Sequence, residues 1–359
     1  MKILQVIDRL NVGGAERVLV DLTNILFEKG HTVDVLTLVS PGPLAGQLNS
    51  AVRLINLGRR RRLSWKKLRE ANNICRNYDV VHAHLRYNFR YLALAKLLNG
   101  GRYPLILHDH YGDIENDEGI PLAIRFFARR NRWFIGVSAT LTTWAVKKLG
   151  LAQASVLLLP NIVVKRGASI QVCSAREDSA IHILHVSNFR EAKHHIFAIR
   201  LIAALRRHFN VRALFVGQIV DFEYFRRINE LMESNGVHDV IAVVHECHDV
   251  QSLMKDFHIG LHTAYQESGP LILIEYLAQK LPFLAYKTGE VSLQISSKFP
   301  EFFLTDFEVE SWVRRIIDLV GKRSECVERM SGVFERMYST DDYYEKCIEF
   351  YQRVLDYGS

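Results

Sequence analysis

The stretch KILQVIDRLNVGGAERVLVDLTNILFEKGHTVDVLTLV, residues 2–39, contains the unit from which the fold is built. Residues 3–7 and 31–39 are apolar, β-prone runs. Between them, the turn NVGG opens a segment whose apolar residues recur every three or four positions, and Gly30 follows as a carboxyl-terminal cap. This order predicts a strand, a helix and a second strand parallel to the first.

The same alternation continues along the rest of the chain. Further β-prone runs lie at residues 52–57, 80–84, 105–108, 134–137, 181–186, 213–216, 240–244, 259–263 and 283–286. Strands that alternate with helices are typical of doubly wound parallel sheets. We therefore predict an α/β protein with two Rossmann-like domains, at residues 1–164 and 165–335, followed by an aromatic, amphipathic helix within residues 336–359.

The composition agrees with a two-domain globular protein. The chain has 359 residues, of which 48% are apolar and 24% charged, and this length exceeds one hydrophobic core. No apolar run approaches the roughly 18 residues of a membrane-spanning helix. The first residues lack the layout of a signal peptide, and five scattered cysteines favour reduced thiols. We therefore expect a cytoplasmic protein.

The most informative segment is HTAYQESGPLILIEYLA, residues 262–278, which is predicted to pass from a strand end through a loop into a helix. The unpaired N–H groups at the start of that helix would form an anion site. Ligands of open parallel sheets bind outside the carboxyl ends of strands, where this loop would lie. Glu267 and Glu275 flank the helix start. Taken singly, each acid would more often be a surface group or a buried helix cap.

Two glutamates separated by seven residues make this segment resemble retaining glycosyltransferase family 4. That family has the GT-B architecture, in which two Rossmann-like domains face each other across a cleft and a C-terminal helix crosses back to the first domain. The resemblance implies that Glu267 contacts the donor sugar at its reacting end and that Glu275 binds the ribose hydroxyls. The donor-binding residues implied in this segment are Glu267, Ser268, Gly269, Pro270, Leu271, Ile272 and Glu275. The family commonly has glycine where Lys280 stands.

A second segment, VSNFREAK at residues 186–193, follows the first predicted strand of the second domain. Arg190 and Lys193 are spaced so that both cations can converge on one diphosphate and offset the charge of a leaving group. An exposed basic face is the alternative for such a pair taken alone. The family commonly has arginine where Asn188 stands and lysine at the position of Lys193. The resemblance therefore assigns Asn188, Arg190 and Lys193 to the donor.

Two segments of the first domain complete the implied site. Gly13 and Gly14 precede a helix and let a phosphate approach the backbone. They lack the GxGxxG spacing of a dinucleotide fingerprint, which counts against a dehydrogenase. The resemblance places this loop over the donor phosphates. In PLILHDHYGD, residues 104–113, it implies one histidine near the transferred sugar, and we prefer His110 to His108.

Metal ligation is the alternative for the histidines and aspartates of residues 104–113, but these residues lack a defined further ligand. His82 and His84, at the end of another strand, are expected to be structural or to face the acceptor. The chain contains no Asp-x-Asp pair to hold a divalent ion on a diphosphate. We therefore predict no metal site and no cofactor besides the nucleotide-sugar donor.

The first domain is basic: residues 1–164 hold 23 Lys and Arg against 12 Asp and Glu, and the remainder holds 23 against 27. The residues of its densest run that we assign to the acceptor or membrane side are Arg59, Arg60, Arg61, Arg62, Trp65, Lys66 and Lys67. A second cluster of basic residues, interleaved with Phe126, Phe127 and Trp133, lies at residues 125–133. A basic helix with aromatic anchors predicts peripheral contact with anionic membrane. A solvated basic face is the alternative, and no nucleic-acid motif accompanies the charge.

The resemblance to this family, together with these patterns, implies a retaining, metal-independent glycosyltransferase. A nucleoside-diphosphate sugar, a UDP-sugar in preference to GDP-mannose, would donate its sugar to a saccharide or lipid-linked saccharide. The pathway would be exopolysaccharide, capsule or lipopolysaccharide synthesis, at the cytoplasmic face of the plasma membrane. The catalytic residues would be His110, Arg190, Lys193 and Glu267. The alternatives are a sugar-nucleotide epimerase of the same fold and a catalytically silent membrane-bound scaffold.

Overall fold

The computed structural model describes residues 1–111, 122–166, 179–245, 247, 249–267 and 269–357. Ser268, which the resemblance assigns to the donor, lies outside the described residues, as does the end of the 104–113 segment.

In chain order the strands are β1 Lys2–Ile7, β2 Thr32–Thr37, β3 Arg53–Asn56, β4 Val80–His84, β5 Leu105–Asp109, β6 Trp133–Gly136, β7 Val156–Leu158, β8 Ile181–Val186, β9 Val211–Val216, β10 Ile241–Val244, β11 Ile259–His262, β12 Phe283–Tyr286 and β13 Phe303–Leu304. The α-helices are α1 Gly14–Glu28, α2 Trp65–Cys75, α3 Arg86–Leu98, α4 Leu122–Asn131, α5 Ala139–Trp144, α6 His195–Arg206, α7 Phe222–Ser234, α8 Val250–Leu253, α9 Leu271–Ala278, α10 Gly289–Ser296, α11 Val309–Gly321, α12 Arg323–Met330, α13 Val333–Met337 and α14 Thr340–Asp356.

The chain forms two compact units. Unit 1 comprises Met1–Val163 with Ser339–Ser359, and unit 2 comprises Val164–Tyr338. Within the described residues, unit 1 holds a seven-stranded sheet in the order β3-β2-β1-β4-β5-β6-β7, and unit 2 a six-stranded sheet in the order β10-β9-β8-β11-β12-β13. The strand pairings are parallel in both sheets. The predicted class, two doubly wound parallel α/β domains, is confirmed.

Burial explains why most of these strands are legible in the sequence. Parallel sheets are normally covered by helices on both faces, so their strands are continuous apolar runs. Every residue of β1 after Lys2 is buried, and β4 is buried along its whole length although it contains His82 and His84. Strands β7 and β13 were not predicted. They are only three and two residues long, at the edges of their sheets, and too short to form a pattern.

The C-terminal helix α14 packs within unit 1, as the resemblance implies. Ser339 caps its start, where the side-chain Oγ accepts a hydrogen bond from the Asp342 N–H at 3.2 Å. Its face that includes Phe350 and Tyr351 is buried, and the Tyr351 hydroxyl lies 2.6 Å from Nδ1 of His82 in β4. The last helix of the chain is therefore anchored to a central strand of the first sheet.

In each sheet the strand order reverses beside the first strand of the unit. The reversal lies between β1 and β4 in unit 1 and between β8 and β11 in unit 2. Ligands of doubly wound sheets bind outside the carboxyl ends of the strands at such a reversal. In unit 2 the loops that leave β8 and β11 carry the two predicted donor segments, residues 186–193 and 262–278. The fold therefore brings both segments to one edge of the second sheet.

Lys280, where the family commonly has glycine, has a left-handed backbone with φ 54°. It follows the end of α9, where its N–H donates to the Leu277 carbonyl at 3.2 Å and the Leu281 N–H donates to the Tyr276 carbonyl at 2.9 Å. These two bonds are those of a Schellman cap, whose left-handed position favours glycine. A lysine at this position costs about 1–2 kcal/mol in backbone strain.

Replacing Lys280 by glycine is expected to raise the free energy of unfolding by up to about 1 kcal/mol, because relief of strain outweighs the roughly 0.5–1 kcal/mol of backbone entropy that glycine costs. Thermal unfolding should occur about 2–4 °C higher. Lys280→Ala is the control, since it removes the side-chain bond to Ser331 but keeps the strained backbone. A glycine variant that melts no higher than the alanine variant would contradict this explanation.

Candidate functional site

Lys193 and Glu267, predicted separately as donor ligands, form an ion pair in which Lys193 Nζ donates to Glu267 Oε1. Lys193 lies after β8 and Glu267 after β11, and these strands are paired neighbours with Leu261 opposite His185. The two side chains are 12% and 14% exposed. The structure thus brings two residues distant in sequence together at the strand reversal of unit 2, with limited access to solvent.

Buried polar side chains fix the backbone beneath this pair. The hydroxyl of Thr263, directly after β11, donates to the Lys193 carbonyl at 3.0 Å. His185 in β8 lies with Nε2 3.0 Å from the same hydroxyl oxygen. Because the hydroxyl hydrogen serves the carbonyl, we assign a hydrogen to Nε2 of His185. Neither residue was predicted from the sequence. The sequence signal that could have identified them is their position, since both are polar residues at the carboxyl ends of apolar strands.

Burial controls the charge of Lys193. Desolvation, followed by repulsion from the Arg190 guanidinium, lowers the pKa of Lys193 to about 7. The Glu267 carboxylate opposes this shift, since a neighbouring negative charge favours the ammonium form. His262, whose Nε2 lies 3.6 Å from Glu267 Oε1, is neutral because burial lowers its pKa well below the usual value. A nearby anion therefore favours the charged form of Lys193, and in this structure Glu267 is that anion.

The other predicted residues of the loop after β8 have different environments. Arg190 is exposed at the start of the 3-10 turn Glu191–Lys193. Asn188 accepts a hydrogen bond at Oδ1 from the Gln218 N–H at 3.1 Å, which braces this loop against the loop after β9. Asn188 therefore has a structural role, and donor contact by Asn188 and Arg190 stays a prediction.

Helix α9 begins at Leu271 with Pro270 as its N-cap, directly after Gly269. The N–H groups of Leu271 and Ile272 lie in its first turn, where no intrahelical acceptor is available, and such a helix start attracts anions. Glu275, one turn further along, is only 5% exposed. The helix start that an anion site requires is in place. Anion binding there and ribose binding by Glu275 stay predictions.

In unit 1, Gly13 is the N-cap of α1 and Gly14 its first residue. The Glu16 side chain folds back over this turn: a Cβ on Gly13 would lie 3.1 Å from the Glu16 carboxyl carbon and closer still to Oε2. Glu16 holds the third helical position, from which acids reach back to a helix start. Desolvation raises its pKa to about 7. The chain itself thus places a carboxyl group where the sequence predicts a phosphate.

Replacing Glu16 by glutamine is expected to stabilise the protein at about pH 8 but not at about pH 4.5. The folded-state pKa of about 7 lies above the ordinary value of 4.5. The folded state therefore binds the proton more tightly, and wild-type stability falls as the pH rises from 4.5 through 7. Glutamine removes this loss, which is on the order of 1–3 kcal/mol above pH 7.

Urea unfolding at both pH values measures the effect of Glu16→Gln. The control is Glu28→Gln, which changes an exposed acid of the same helix and should alter stability by less than about 0.5 kcal/mol at either pH. The explanation fails if the gain from Glu16→Gln is the same at both pH values.

Four histidines meet at the carboxyl ends of β4 and β5. His82, His84 and His108 are fully buried, whereas His110, just after β5, is partly exposed. His84 Nδ1 lies 3.1 Å from His110 Nε2. Of the two candidates for contact with the transferred sugar, only His110 reaches the surface of unit 1. The contact itself stays a prediction.

The basic run of unit 1 differs from the expected basic helix. Helix α2 begins only at Trp65, so the arginines before it lie in a loop. Arg59, assigned to the acceptor or membrane side, is not part of the exposed basic surface. Arg59 is 6% exposed because its guanidinium stacks on Tyr87 and Tyr91, 4.9 and 4.5 Å from the ring centroids. The exposed members of the run are Arg60, Arg61, Arg62, Leu63, Trp65 and Lys66, whereas Lys67 is half-buried and pairs with Glu70 at 2.8 Å.

Large apolar side chains are exposed on the same unit. Leu63 is 66% exposed and Trp65 61%, and Phe126 in the second basic cluster is also exposed. Trp133, expected as an anchor of that cluster, is instead buried in β6. Its ring packs edge to face against the ring of Phe350, with 5.8 Å between the ring centroids. None of the described helices has the length and apolarity that crossing a bilayer requires.

Two family models match this chain. Residues 12–166 match the model of Glycosyltransferase Family 4, and residues 171–331 match that of Glycosyl transferases group 1. Together the matches span most of both units. No curated protein matches the chain at a significant level.

Solved structures share the fold. Anabaena Alr3699/HepE in complex with UDP and glucose is similar with a TM-score of 0.81 at 16% identity, over 97% of this chain and 98% of that one. S. aureus TarM in complex with Fondaparinux, alpha-GlcNAc-glycerol and UDP has a TM-score of 0.75 at 10% identity, over 98% and 99% of the chains. The lipopolysaccharide outer core galactosyltransferase WaaB has 0.61 at 14% identity, over 98% and 99%. At these identities the similarity shows the fold alone.

Proposed function

We propose that this chain, which belongs to the family 4-like glycosyltransferases of GT-B architecture, transfers a sugar from a UDP-sugar with retention of configuration and without a metal ion at the diphosphate. The ion pair between Lys193 and Glu267 carries the proposal. It provides a cation for the leaving phosphate and a carboxylate for the reacting sugar side by side. Both lie at the strand reversal where ligands of such sheets bind.

The leaving group is a diphosphate whose negative charge grows as its bond to the sugar breaks. The Lys193 ammonium would meet that charge at short range, and the first N–H groups of α9 would add fixed dipoles. Arg190, which is exposed on the same loop as Lys193, would approach the diphosphate from the solvent side. These groups offset the charge that a divalent ion neutralises in other transferases. The missing Asp-x-Asp pair agrees with this arrangement.

Retention requires that the acceptor attack the face that the leaving group vacates. The anomeric carbon becomes positive as its bond to the diphosphate breaks. Once Lys193 pairs with the diphosphate, the Glu267 carboxylate is released to stabilise that positive charge. The acceptor hydroxyl attacks from the same side, and the departing phosphate oxygen takes its proton.

UDP is proposed as the nucleotide because two of the proteins that share the fold were solved with it. A role in surface polysaccharide synthesis is proposed from the similarity to the lipopolysaccharide outer core galactosyltransferase WaaB. The exposed basic and aromatic surface around Trp65 supports an acceptor carried by lipid. Beside anionic lipid, each exposed cation of that surface would contribute about 1 kcal/mol.

Incubation with a panel of UDP- and GDP-sugars, with and without saccharide acceptors, tests the reaction. We expect acceptor-dependent release of UDP from a UDP-sugar, not increased by Mg²⁺ or Mn²⁺, and a product that keeps the donor's anomeric configuration by NMR. Interconversion of the nucleotide sugar without acceptor would instead identify an epimerase. Absence of donor binding would favour the catalytically silent scaffold, and an inverted product would reject the retaining mechanism.

Replacement of the three exposed arginines at residues 60–62 by serine tests the membrane contact. Binding to vesicles that contain anionic lipid is expected to weaken roughly 100-fold, from the loss of three cations. A variant with Arg207, Lys255 and Lys298 replaced by serine removes the same charge from exposed positions of unit 2 and is the control. Unchanged binding after loss of the arginines, or an equal loss in both variants, would exclude this surface as the membrane contact.

A further inference from the structure

Three buried histidines of unit 1 form a cluster. His82 and His84 are two residues apart in β4, so their side chains point to the same face of the sheet. His108 lies opposite His84 in the neighbouring β5. All three side chains are fully buried. One ring nitrogen from each lies within 4.8 Å of the other two. The three ring centroids are 4.5, 5.1 and 4.9 Å apart.

The hydrogen bonds of this cluster leave several nitrogens without a partner. His82 Nδ1 lies 2.6 Å from the Tyr351 hydroxyl, and His84 Nε2 lies 2.9 Å from Gln5 Oε1. Within the part of the chain that the structure describes, His82 Nε2 and both ring nitrogens of His108 have no hydrogen-bond partner. Buried polar groups are almost always satisfied, so these nitrogens indicate a bound ion or an ordered water in the cluster.

The ring nitrogens of the cluster are the donor atoms that a transition-metal ion requires. Imidazole is the commonest side-chain ligand of metal ions in proteins. Asp109, at the end of β5, is held by Arg86 at 2.8 Å. The cluster thus offers nitrogen, which suits transition metals, whereas Mg²⁺ and Ca²⁺ prefer oxygen.

We propose that His82, His84 and His108 hold a divalent transition-metal ion, for which Zn²⁺ has the fitting chemistry. Three histidines form a known zinc ligand set, with a fourth position for water or another group. His82 would bind through Nε2 and keep Tyr351 on Nδ1. His84 would bind through Nδ1, in place of its present contact with His110 Nε2 at 3.1 Å, and keep Gln5 on Nε2. Such outer partners orient metal-bound histidines and strengthen binding.

The proposed ion has a structural consequence. Tyr351 lies in α14, so the ion would link β4 and β5 to the C-terminal helix. It would overturn the prediction that the chain has no metal ligands. It would leave the metal-independent leaving-group chemistry unchanged, because the cluster lies in unit 1 and shares no residue with the donor segments of unit 2.

Cobalt substitution of the full-length protein tests the proposal. Protein stripped of metal with a chelator is titrated with Co²⁺, whose visible absorption reports its coordination. We expect saturation at one equivalent and displacement by Zn²⁺. Tyr351→Phe, which keeps the ring, should weaken Co²⁺ binding about 10–100-fold, the usual cost of an outer partner. His108→Leu, which removes a ligand, should weaken it by more than about 100-fold.

His208→Leu, which removes an exposed histidine of unit 2, is the matched control and should bind Co²⁺ as the wild type does. Thermal unfolding of wild-type protein gives a readout that depends on no variant, since saturating Zn²⁺ should raise its midpoint. Two results would overturn the proposal. One is wild-type protein with neither cobalt absorption nor a zinc-dependent midpoint. The other is equal Co²⁺ binding by the wild-type and His108→Leu proteins.

Discussion

Replacing Glu267 by glutamine is expected to lower kcat/KM for sugar transfer by about 10²–10³-fold, as removal of one preorganised group that stabilises transition-state charge typically does. The substitution keeps the shape of the side chain but removes the negative charge that faces the anomeric carbon. Lys193→Met should cost as much, because the leaving diphosphate loses its nearest cation. Initial-rate measurements with the active UDP-sugar give both values.

The contact between the two residues makes a further prediction. Because Lys193 and Glu267 pair directly, their losses are expected to be less than additive in the double variant. Lys298→Met, which changes an exposed lysine of the same unit, is the control and should leave the rate unchanged. Near wild-type activity of Glu267→Gln would exclude this carboxylate from the reacting sugar.

Gly217→Ala is expected to destabilise unit 2 by about 3 kcal/mol, at the upper end of the cost of overpacking. Gly217 follows β9, where a Cβ would lie 2.5 Å from the Ser187 carbonyl carbon and 3.0 Å from Asn188 N. Both are backbone atoms, and the Ser187 N–H is also bonded to the Val216 carbonyl at 2.9 Å. The loop after β8 must therefore shift as a whole. Since that loop carries Lys193, donor binding should weaken as well.

Urea unfolding followed by circular dichroism measures the cost of Gly217→Ala. Gly321→Ala is the matched control, since a Cβ at Gly321, the last residue of α11, meets nothing within 4 Å. This control should be neutral or stabilising by up to about 1 kcal/mol, the difference in helix propensity between the two residues. If wild-type and Gly217→Ala proteins unfold at the same midpoint, the loops after β8 and β9 are not packed as described.

Local pattern was sufficient for most of the fold, because strands of parallel sheets are buried on both faces and read as apolar runs. It was insufficient for β7 and β13, whose few residues form no period. It also misplaced Arg59. The density of charge along the chain contains no information about the rings of Tyr87 and Tyr91, which lie later in the sequence and bury that guanidinium.

The candidate site could be predicted as separate segments but not as a set of contacts. Spacing and resemblance select Lys193 and Glu267, yet only the adjacency of β8 and β11 brings them together. Their supports, His185 and Thr263, are single polar residues without a motif. The histidine cluster of unit 1 likewise depends on a register, that of β4 against β5, which no local pattern determines.

Calorimetric titration of UDP into the wild-type and Lys193→Met proteins tests most directly whether Lys193 binds the donor diphosphate. We predict that the wild type binds UDP in buffer free of Mg²⁺. The variant should bind about 10–100-fold more weakly, since a hydrogen bond to a charged group contributes about 1.5–3 kcal/mol. Glu267→Gln, which releases Lys193 from its pair, should bind UDP at least as tightly as the wild type. Equal UDP affinity of the wild-type and Lys193→Met proteins would contradict the proposed donor site.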